Sequence, residues 1–127
     1  MSVPSPVLGK SILVVEDEFI IGMMLCQELG RAGAVTIGPL SSVADAVKAI
    51  EVRVFDLVIL DAKLGAGSGA DLVAGLKERR IPYVVVSGYE RTGLPPALKG
   101  APFVAKPVSM PLLLEAIGTM TKRAPPT

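Results

Sequence analysis

The sequence predicts a doubly wound α/β sandwich, with a parallel five-stranded sheet of order 2-1-3-4-5 covered by helices on both faces. Five short apolar runs alternate along the chain with helical patterns, and parallel neighbours need such crossover helices. The runs are apolar at consecutive rather than alternating positions, which is typical of strands buried on both faces. A chain of 127 residues is most simply one domain.

The predicted strands are the apolar runs themselves, at 11–16, 34–40, 56–61, 83–87 and 103–106. Between and after them, apolar residues recur at helical spacing, and the predicted helices are 18–31, 42–52, 69–79, 94–99 and 109–121. The fourth helix lies in the stretch GLPPALKG, which has two prolines near its start and a glycine at each end. We therefore expect a short or irregular element there, with more mobility than its neighbours.

Loose tails are expected at both ends of a single domain that spans residues 10–122. Residues 1–9 contain two prolines and two serines, and residues 123–127 contain two more prolines. The N-terminus lacks the basic region and long apolar stretch of a signal peptide, and the single cysteine, Cys26, cannot form an internal disulfide. We therefore expect a cytoplasmic protein without a second, covalently attached output domain.

Composition excludes several classes of function. Thirteen Lys and Arg balance twelve Asp and Glu and lie scattered, so the chain lacks the basic footprint of a nucleic-acid-binding protein. His and Trp are absent and only five aromatic residues occur, which leaves no His-based metal site and no base-stacking platform. The apolar runs are far shorter than the roughly 20 residues that cross a bilayer, so no membrane span is expected.

Charged residues follow three of the predicted strands. Glu16 and Asp17 lie at the end of the first strand, Asp61 at the end of the third and Lys106 at the end of the fifth. Asp61 follows Asp17 by 44 residues, and Lys106 follows Asp61 by 45. In the order 2-1-3-4-5 the first and third strands are neighbours, and ligands bind in the crevice at their carboxyl ends. Carboxylates 4 Å apart repel by about 4 kcal/mol per pair at an effective dielectric of 20, so the cluster requires a cation.

An all-oxygen site of this kind suits Mg²⁺, which readily shares its coordination shell with a phosphate oxygen. A dication and Lys106 around one carboxylate prepare a site for phosphoryl transfer, with Asp61 as the nucleophile and Ser87, at the end of the fourth strand, donating to a phosphate oxygen. Taken singly, Glu16 and Asp17 are also ordinary helix-start acids, and Ser87 and Lys106 ordinary turn residues. Their joint placement at strand ends favours the phosphoryl site.

Four motifs contain these residues: VVED, VILDAKLGAGSG, VVVSGY and FVAKP. Together they resemble the receiver domain of two-component response regulators, a flavodoxin-like fold, over about residues 10–122. The resemblance implies that Asp61 is the phosphoacceptor. It also implies that Mg²⁺ is held by Asp17, Asp61 and the backbone carbonyl of Lys63, with Glu16 acting largely through water.

The resemblance also implies a phosphorylation switch. In this family the phosphate attracts a hydroxyl while an aromatic side chain rotates inward, and Ser87 and Phe103 occupy these positions. A cis peptide bond is implied before Pro107. The stretches IPYVVVSGY and GLPPALKGAPFVAKP further resemble the alphaproteobacterial FAT GUY subgroup of stand-alone receivers, in which Tyr89 would share the switching role. Lys63 and Tyr89 occupy positions that tune phosphate loss in this family, and their side chains favour a long-lived phosphate.

The first predicted helix has apolar residues on two faces. At 100° per residue, one face is an ordinary core stripe of Ile21, Met24, Leu25, Leu29 and Ala32. The opposite face, where solvent is expected, has Phe19, Met23 and Cys26, and exposed apolar clusters mark binding surfaces. The resemblance implies that a sensor histidine kinase or a histidine phosphotransfer protein docks on this helix, so Phe19 and Met23 are candidate contacts. The alternative is a helix partly covered by the N-terminal tail.

We therefore expect a stand-alone receiver, a monomer or weak homodimer, that takes a phosphoryl group from a phosphohistidine donor and changes its contacts with a downstream protein. It acts on its own aspartate and is not an enzyme for an external substrate. Two alternatives are a degenerate receiver that binds partners without phosphorylation and an aspartyl-phosphate hydrolase. Hydrolases of the haloacid dehalogenase type need a second acid two residues after the nucleophile, where this chain has Lys63, and this argues against the second alternative.

Overall fold

The computed structural model describes residues 5–65, 67–88 and 93–122, and the statements below concern these ranges. The strands are Ser11–Val15 (β1), Val35–Leu40 (β2), Leu57–Asp61 (β3), Lys63–Leu64 (β4), Gly67–Ser68 (β5), Tyr83–Ser87 (β6) and Phe103–Ala105 (β7). The α-helices are Phe19–Arg31 (α1), Val43–Val52 (α2), Ala70–Glu78 (α3) and Met110–Lys122 (α4), and Pro96–Leu98 form a short 3₁₀ helix. Every helix in these ranges falls short of what a bilayer crossing requires in length and apolar character.

Five strands form one parallel sheet in the order β2-β1-β3-β6-β7. This confirms the predicted order 2-1-3-4-5, because β6 and β7 are the fourth and fifth predicted strands. A separate antiparallel pair, β4 with β5, follows β3 directly and is absent from the prediction. Each of its strands has two residues, too few to produce a recognisable apolar run.

Apolar side chains pack in two clusters, one on each face of the sheet. Neighbouring residues of a strand point to opposite faces. Leu13 and Leu60 therefore join the cluster beneath α2 and α3, while Val14 and Ile59 join the cluster beneath α1 and α4. Because β3 is buried along its whole length, its sequence is continuously apolar up to Asp61.

Between residues 93 and 102, the fourth connection contains a 3₁₀ helix at Pro96–Leu98 and no α-helix, in agreement with the short element that the sequence predicts. Pro95 and Pro96 stand at its start, where the missing backbone N–H groups are tolerated, and Gly100, with a φ of +90°, follows closely after its end. Leu98 is fully buried in the cluster beneath α2 and α3. Leu94 of the same connection is buried in that cluster as well, so two side chains anchor the connection to the core.

Helix α1 lies very close to β2. A Cβ atom on Gly22 would lie 2.5 Å from the Cβ atom of Pro39, so only glycine permits this approach. Gly38 has a φ of +111°, which favours glycine, and the Gly38-Pro39 peptide bond is cis, a feature that the sequence patterns do not indicate. A Cβ on Gly22 would also lie 3.5 Å from the Cβ of Glu16. The first turns of α1 are therefore held close to both β2 and the end of β1.

Packing begins before residue 10, the predicted start of the domain. Val7 is fully buried in the cluster beneath α1 and α4. The N–H of Gly9 donates to the carbonyl of Gly33 (2.8 Å), just beyond the end of α1. Residues 5–9, which we expect from composition in the loose tail, therefore contact the domain.

Candidate functional site

Three polar side chains are buried at the carboxyl ends of neighbouring strands. Glu16 follows β1, Asp61 ends β3 and Ser87 ends β6, and their exposed fractions are 2%, 5% and 1%. In the described parts of the chain, no other polar or charged residue is buried. Burying a carboxylate costs several kcal/mol unless it is paired, so two adjacent buried acids indicate a site with a compensating charge.

Lys106, which follows β7, provides that charge. Its Nζ atom donates to Asp61 Oδ2 at 2.8 Å, to Glu16 Oε2 at 3.1 Å and to Glu18 Oε1 at 2.6 Å. Burial alone would lower the pKa of Lys106, but the hydrogen bonds to Asp61, Glu18 and Glu16 outweigh it and raise the pKa. The ammonium group is therefore charged at any physiological pH.

Glu16 has an unusual protonation equilibrium. Burial raises its pKa from an ordinary value of 4.5 to about 7, and the neighbouring Asp61 carboxyl contributes in the same direction. The N–H of Glu18, which donates to Glu16 Oε2 at 3.1 Å, and Lys106 oppose the shift. Nζ of Lys106 is also 3.0 Å from Glu16 Oε1, but without hydrogen-bond geometry, and that oxygen has no hydrogen-bond partner. An additional cation beside Glu16 would therefore be stabilising.

The carboxylates fit a divalent metal ion. One oxygen each from Glu16, Glu18 and Asp61 lie within 4.8 Å of one another. Glu18 and Asp61 border a cavity of about 480 Å³, whose lining also includes Asp17, Lys63, Ser87, Gly88 and Lys106. A hard, all-oxygen set of this kind is typical of Mg²⁺ or Ca²⁺ sites.

Asp17 is not part of this carboxylate cluster, although the resemblance implies it as a metal ligand. Its side chain is exposed and Oδ2 accepts a hydrogen bond from the N–H of Gly65 (2.9 Å), in the loop after β4. The third carboxylate is that of Glu18, which the sequence analysis does not single out. The signal available in the sequence is a run of three consecutive acids after β1, of which the motif VVED includes only two.

Of the remaining predicted site residues, Lys63 and Lys106 line the cavity, whereas Phe103 lines a separate groove. The N–H of Lys63 donates to Asp61 Oδ1 (3.2 Å), and its side chain is exposed. The Lys106-Pro107 peptide bond is cis, as the resemblance implies. Phe103 is half-buried, pairs in register with Val85, and lines a groove of about 1070 Å³ along β7 and α4. Tyr89 lies outside the described residues.

Helix α1 begins directly after Glu18, which lines the cavity, and its first turns have an exposed apolar face. Phe19 and Met23 are 70% and 47% exposed, in agreement with the predicted face, and Ile20 is 83% exposed. Two other assignments are wrong: Met24, expected in the core, is 37% exposed, and Cys26, expected in solvent, is half-buried. The reason is that α1 packs through Gly22, Leu25 and Leu29. Because Gly22 has no apolar side chain, the sequence pattern does not count it in the core stripe. The predicted stripe is therefore centred too far around the helix from Cys26.

Comparisons with known proteins agree with this geometry. A family model for the response regulator receiver domain matches residues 12–118. The transcriptional regulatory protein PdtaR of Mycobacterium tuberculosis is 30% identical over 118 residues, which are 90% of this chain and 58% of that protein. The chain thus spans somewhat more than half the length of this curated relative.

Two solved structures share the fold. The response regulator TrrA of Thermotoga maritima, in complex with Mg²⁺-BeF, has a TM-score of 0.75 and 24% identity, covering 87% of this chain and 98% of that one. A response regulator from Burkholderia pseudomallei, with a phosphorylated aspartic acid, calcium and citrate, has a TM-score of 0.74 and 24% identity, covering 91% and 73%. With the family match over most of its length, this chain belongs to the response regulator receiver domains of two-component signalling.

Proposed function

We propose that this protein accepts a phosphoryl group on Asp61 from a phosphohistidine donor, with Mg²⁺, and that the phosphate changes its contacts with other proteins. The observation that carries the proposal is the environment of Asp61. Its Oδ2 accepts from Lys106 (2.8 Å) and its Oδ1 from the N–H of Lys63 (3.2 Å), and the residue borders the cavity at the carboxyl end of the sheet. A carboxylate held in this way is oriented for attack on phosphorus.

The transfer needs little covalent chemistry from the protein. An oxygen of Asp61 forms a bond to phosphorus while the bond from phosphorus to the imidazole nitrogen of the donor breaks, and the imidazole keeps the electron pair and takes up a proton. Lys106 neutralises charge on the transferred group, because phosphoryl transfer depends mainly on positioning and electrostatics. Apart from the phosphohistidine of the donor, the only group that this chemistry modifies is the chain's own aspartate, so we propose no external metabolite as substrate.

A bound divalent cation would supply further neutralisation of the phosphoryl oxygens. Asp61, Asp17 and the backbone carbonyl of Lys63 would hold it, with Glu16 acting through water. Three observations support this assignment. All of these residues except the buried Glu16 line the cavity. Oε1 of Glu16 has no hydrogen-bond partner. The Thermotoga protein of the same fold is described with Mg²⁺-BeF.

We propose Ser87 and Phe103 as the switch between the unphosphorylated and phosphorylated states. Ser87 lies in the wall of the cavity, and the two residues belong to the neighbouring strands β6 and β7, where Ser87 pairs with Ala105. A new dianion at Asp61 attracts the hydroxyl of Ser87, and Phe103 moves into the space that becomes available. The half-buried position of Phe103 is compatible with two packing arrangements.

A direct test is incubation of the purified protein with acetyl phosphate and Mg²⁺, followed by intact-mass spectrometry. We expect a gain of about 80 Da. The gain should be absent in Asp61→Asn and preserved in Asp45→Asn, a matched change of an exposed aspartate on α2. A wild-type protein that stays unmodified would refute phosphoacceptor function and favour a receiver that binds its partners without phosphorylation.

We also propose that the donor, a sensor histidine kinase or a histidine phosphotransfer protein, docks on the exposed face of α1. Phe19 and Met23 are apolar and exposed, and Phe19 directly follows Glu18, which lines the cavity. Exposed apolar residues of this kind contribute strongly to protein interfaces. Alanine at either position should slow transfer from the cognate donor roughly tenfold while uptake from acetyl phosphate stays unchanged. Val54→Ala, which alters a residue 85% exposed near the opposite end of the sheet, is the control. Equal transfer rates in all three variants would refute the docking site.

A further inference from the structure

Lys106 has no spare hydrogen-bond donor in the described site. An ammonium group has three N–H bonds. Here one donates to Asp61 Oδ2, one to Glu16 Oε2 and one to Glu18 Oε1. The contact with Glu18, at 2.6 Å, is the shortest of the three.

The three carboxylate partners differ in exposure. The side chains of Glu16 and Asp61 are 2% and 6% exposed, whereas that of Glu18 is 59% exposed. A buried carboxylate that loses its lysine partner is left without solvation, at a large cost. A half-exposed carboxylate is rehydrated by water, so its ion pair is worth little and is broken easily.

Phosphorylation of Asp61 requires one of these N–H bonds. To neutralise the transferred group, Lys106 must donate to a phosphoryl oxygen, and one present acceptor must leave. The exposure of Glu18 identifies it as the one that leaves. Its side chain makes no capping hydrogen bond to α1, so its departure does not disturb the helix.

We propose that Glu18 is a positioning residue that occupies Lys106 in the unphosphorylated site and must release it before Asp61 accepts a phosphoryl group. Glu18 is thus an internal competitor of the phosphoryl oxygens, and it slows uptake. This proposal rests on the proposed phosphoacceptor function and concerns the regulation of the same site. No other side chain of the described site combines contact with Lys106 with high exposure.

The test compares uptake from acetyl phosphate at saturating Mg²⁺ in the wild-type protein and in Glu18→Gln, Glu18→Asp and Glu51→Gln. Glu18→Gln should raise the saturating rate constant about fivefold, the size expected for loss of an exposed ion pair. Glu18→Asp keeps the charge but shortens the side chain, so it should be similarly fast. Glu51→Gln, an exposed change at the end of α2, should leave the rate unchanged.

The control variants separate the proposed contact from general charge repulsion. If Glu18→Asp behaves like the wild type, or if only the half-saturating donor concentration falls in Glu18→Gln, charge at a distance explains the effect and the proposal is overturned. An unchanged rate in Glu18→Gln, with a wild type that does gain phosphate, overturns this inference alone. A wild type that gains none overturns the proposed function itself.

A second readout uses no phosphodonor. Calorimetric titration of the metal-free protein with Mg²⁺ tests whether Glu18, whose carboxylate oxygen lies within 4.8 Å of those of Glu16 and Asp61, is also a metal ligand. We expect affinities for the wild type and Glu18→Gln within about twofold of each other, because the proposed ligands are Asp17, Asp61 and the carbonyl of Lys63. A tenfold loss of Mg²⁺ affinity together with slower uptake would show that Glu18 binds the cation and would overturn the proposal.

Discussion

Replacing Glu16 by Gln should stabilise the metal-free protein at alkaline pH. Glu16 is almost fully buried beside Asp61, and burial raises its pKa from 4.5 to about 7. At pH 8 the folded protein therefore contains an ionised carboxylate that its environment disfavours. Gln has nearly the same shape without the charge, so Glu16→Gln removes this unfavourable interaction.

The magnitude follows from the shift in pKa. A carboxyl group whose pKa is higher in the folded than in the unfolded state contributes stability that is present at low pH and is lost as pH rises, here between 4.5 and about 7. One pKa unit corresponds to about 1.4 kcal/mol, so the loss is at most about 3 kcal/mol. We therefore expect Glu16→Gln to exceed the wild type by up to about 3 kcal/mol at pH 8 and by under about 1 kcal/mol near pH 5.

The assay is urea unfolding in EDTA, followed by far-UV circular dichroism because the chain contains no Trp. Glu51→Gln, an exposed change on α2, should match the wild type at both pH values. Added Mg²⁺ should reduce the advantage of Glu16→Gln, since the cation stabilises the ionised wild-type site. A variant that is less stable than the wild type at pH 8, or whose advantage grows toward pH 5, would refute the reasoning.

Four further changes should alter the free energy of unfolding in the same assay. A Cβ on Gly69 would overlap the carbonyl oxygen of Asp61, so Gly69→Ala should destabilise the protein by about 1–3 kcal/mol. Gly30 has open space around it on α1, so Gly30→Ala should stabilise the protein by up to about 1 kcal/mol. Equal effects of the two substitutions would contradict the steric argument. Ser42→Ala should cost about 1 kcal/mol because the hydroxyl caps α2, and no loss would show that water replaces it. Lys106→Met should destabilise the metal-free protein by about 3 kcal/mol, because it leaves the buried carboxylates of Glu16 and Asp61 without a cation, and added Mg²⁺ should restore part of the loss. An unchanged urea midpoint in this variant would mean that these two carboxylates need no cationic partner.

The sheet and the elements around it follow from local patterns. Consecutive apolar residues identified all five main strands, and the strand order places Glu16, Asp61, Ser87 and Lys106 at one end of the sheet. The reason is clearest for the inner strands β1, β3 and β6, which are covered on both faces, because burial restricts their composition over almost their whole length. The residue at its carboxyl end then has its position fixed by the sheet.

The details beyond the strand ends depend on contacts that no local pattern encodes. Asp17 and Glu18 are adjacent in sequence, and which of them approaches Asp61 is decided by the N–H of Gly65 and the ammonium of Lys106, both distant along the chain. The face that α1 buries depends on Gly22, whose contribution is its lack of a side chain. Membership of the FAT GUY subgroup and the role of Tyr89 stay predictions.

The outer strands of the sheet offer little to a strand from another molecule. β7 has only three residues. β2 contains Pro39, which has no backbone N–H, and its pairing with β1 shifts register between Leu13 and Val15. Proline and irregular pairing at an edge are common protections against edge-to-edge aggregation. At high concentration this protein should therefore resist amyloid-like assembly through its sheet edges, even though its strands are among the most apolar segments of the chain.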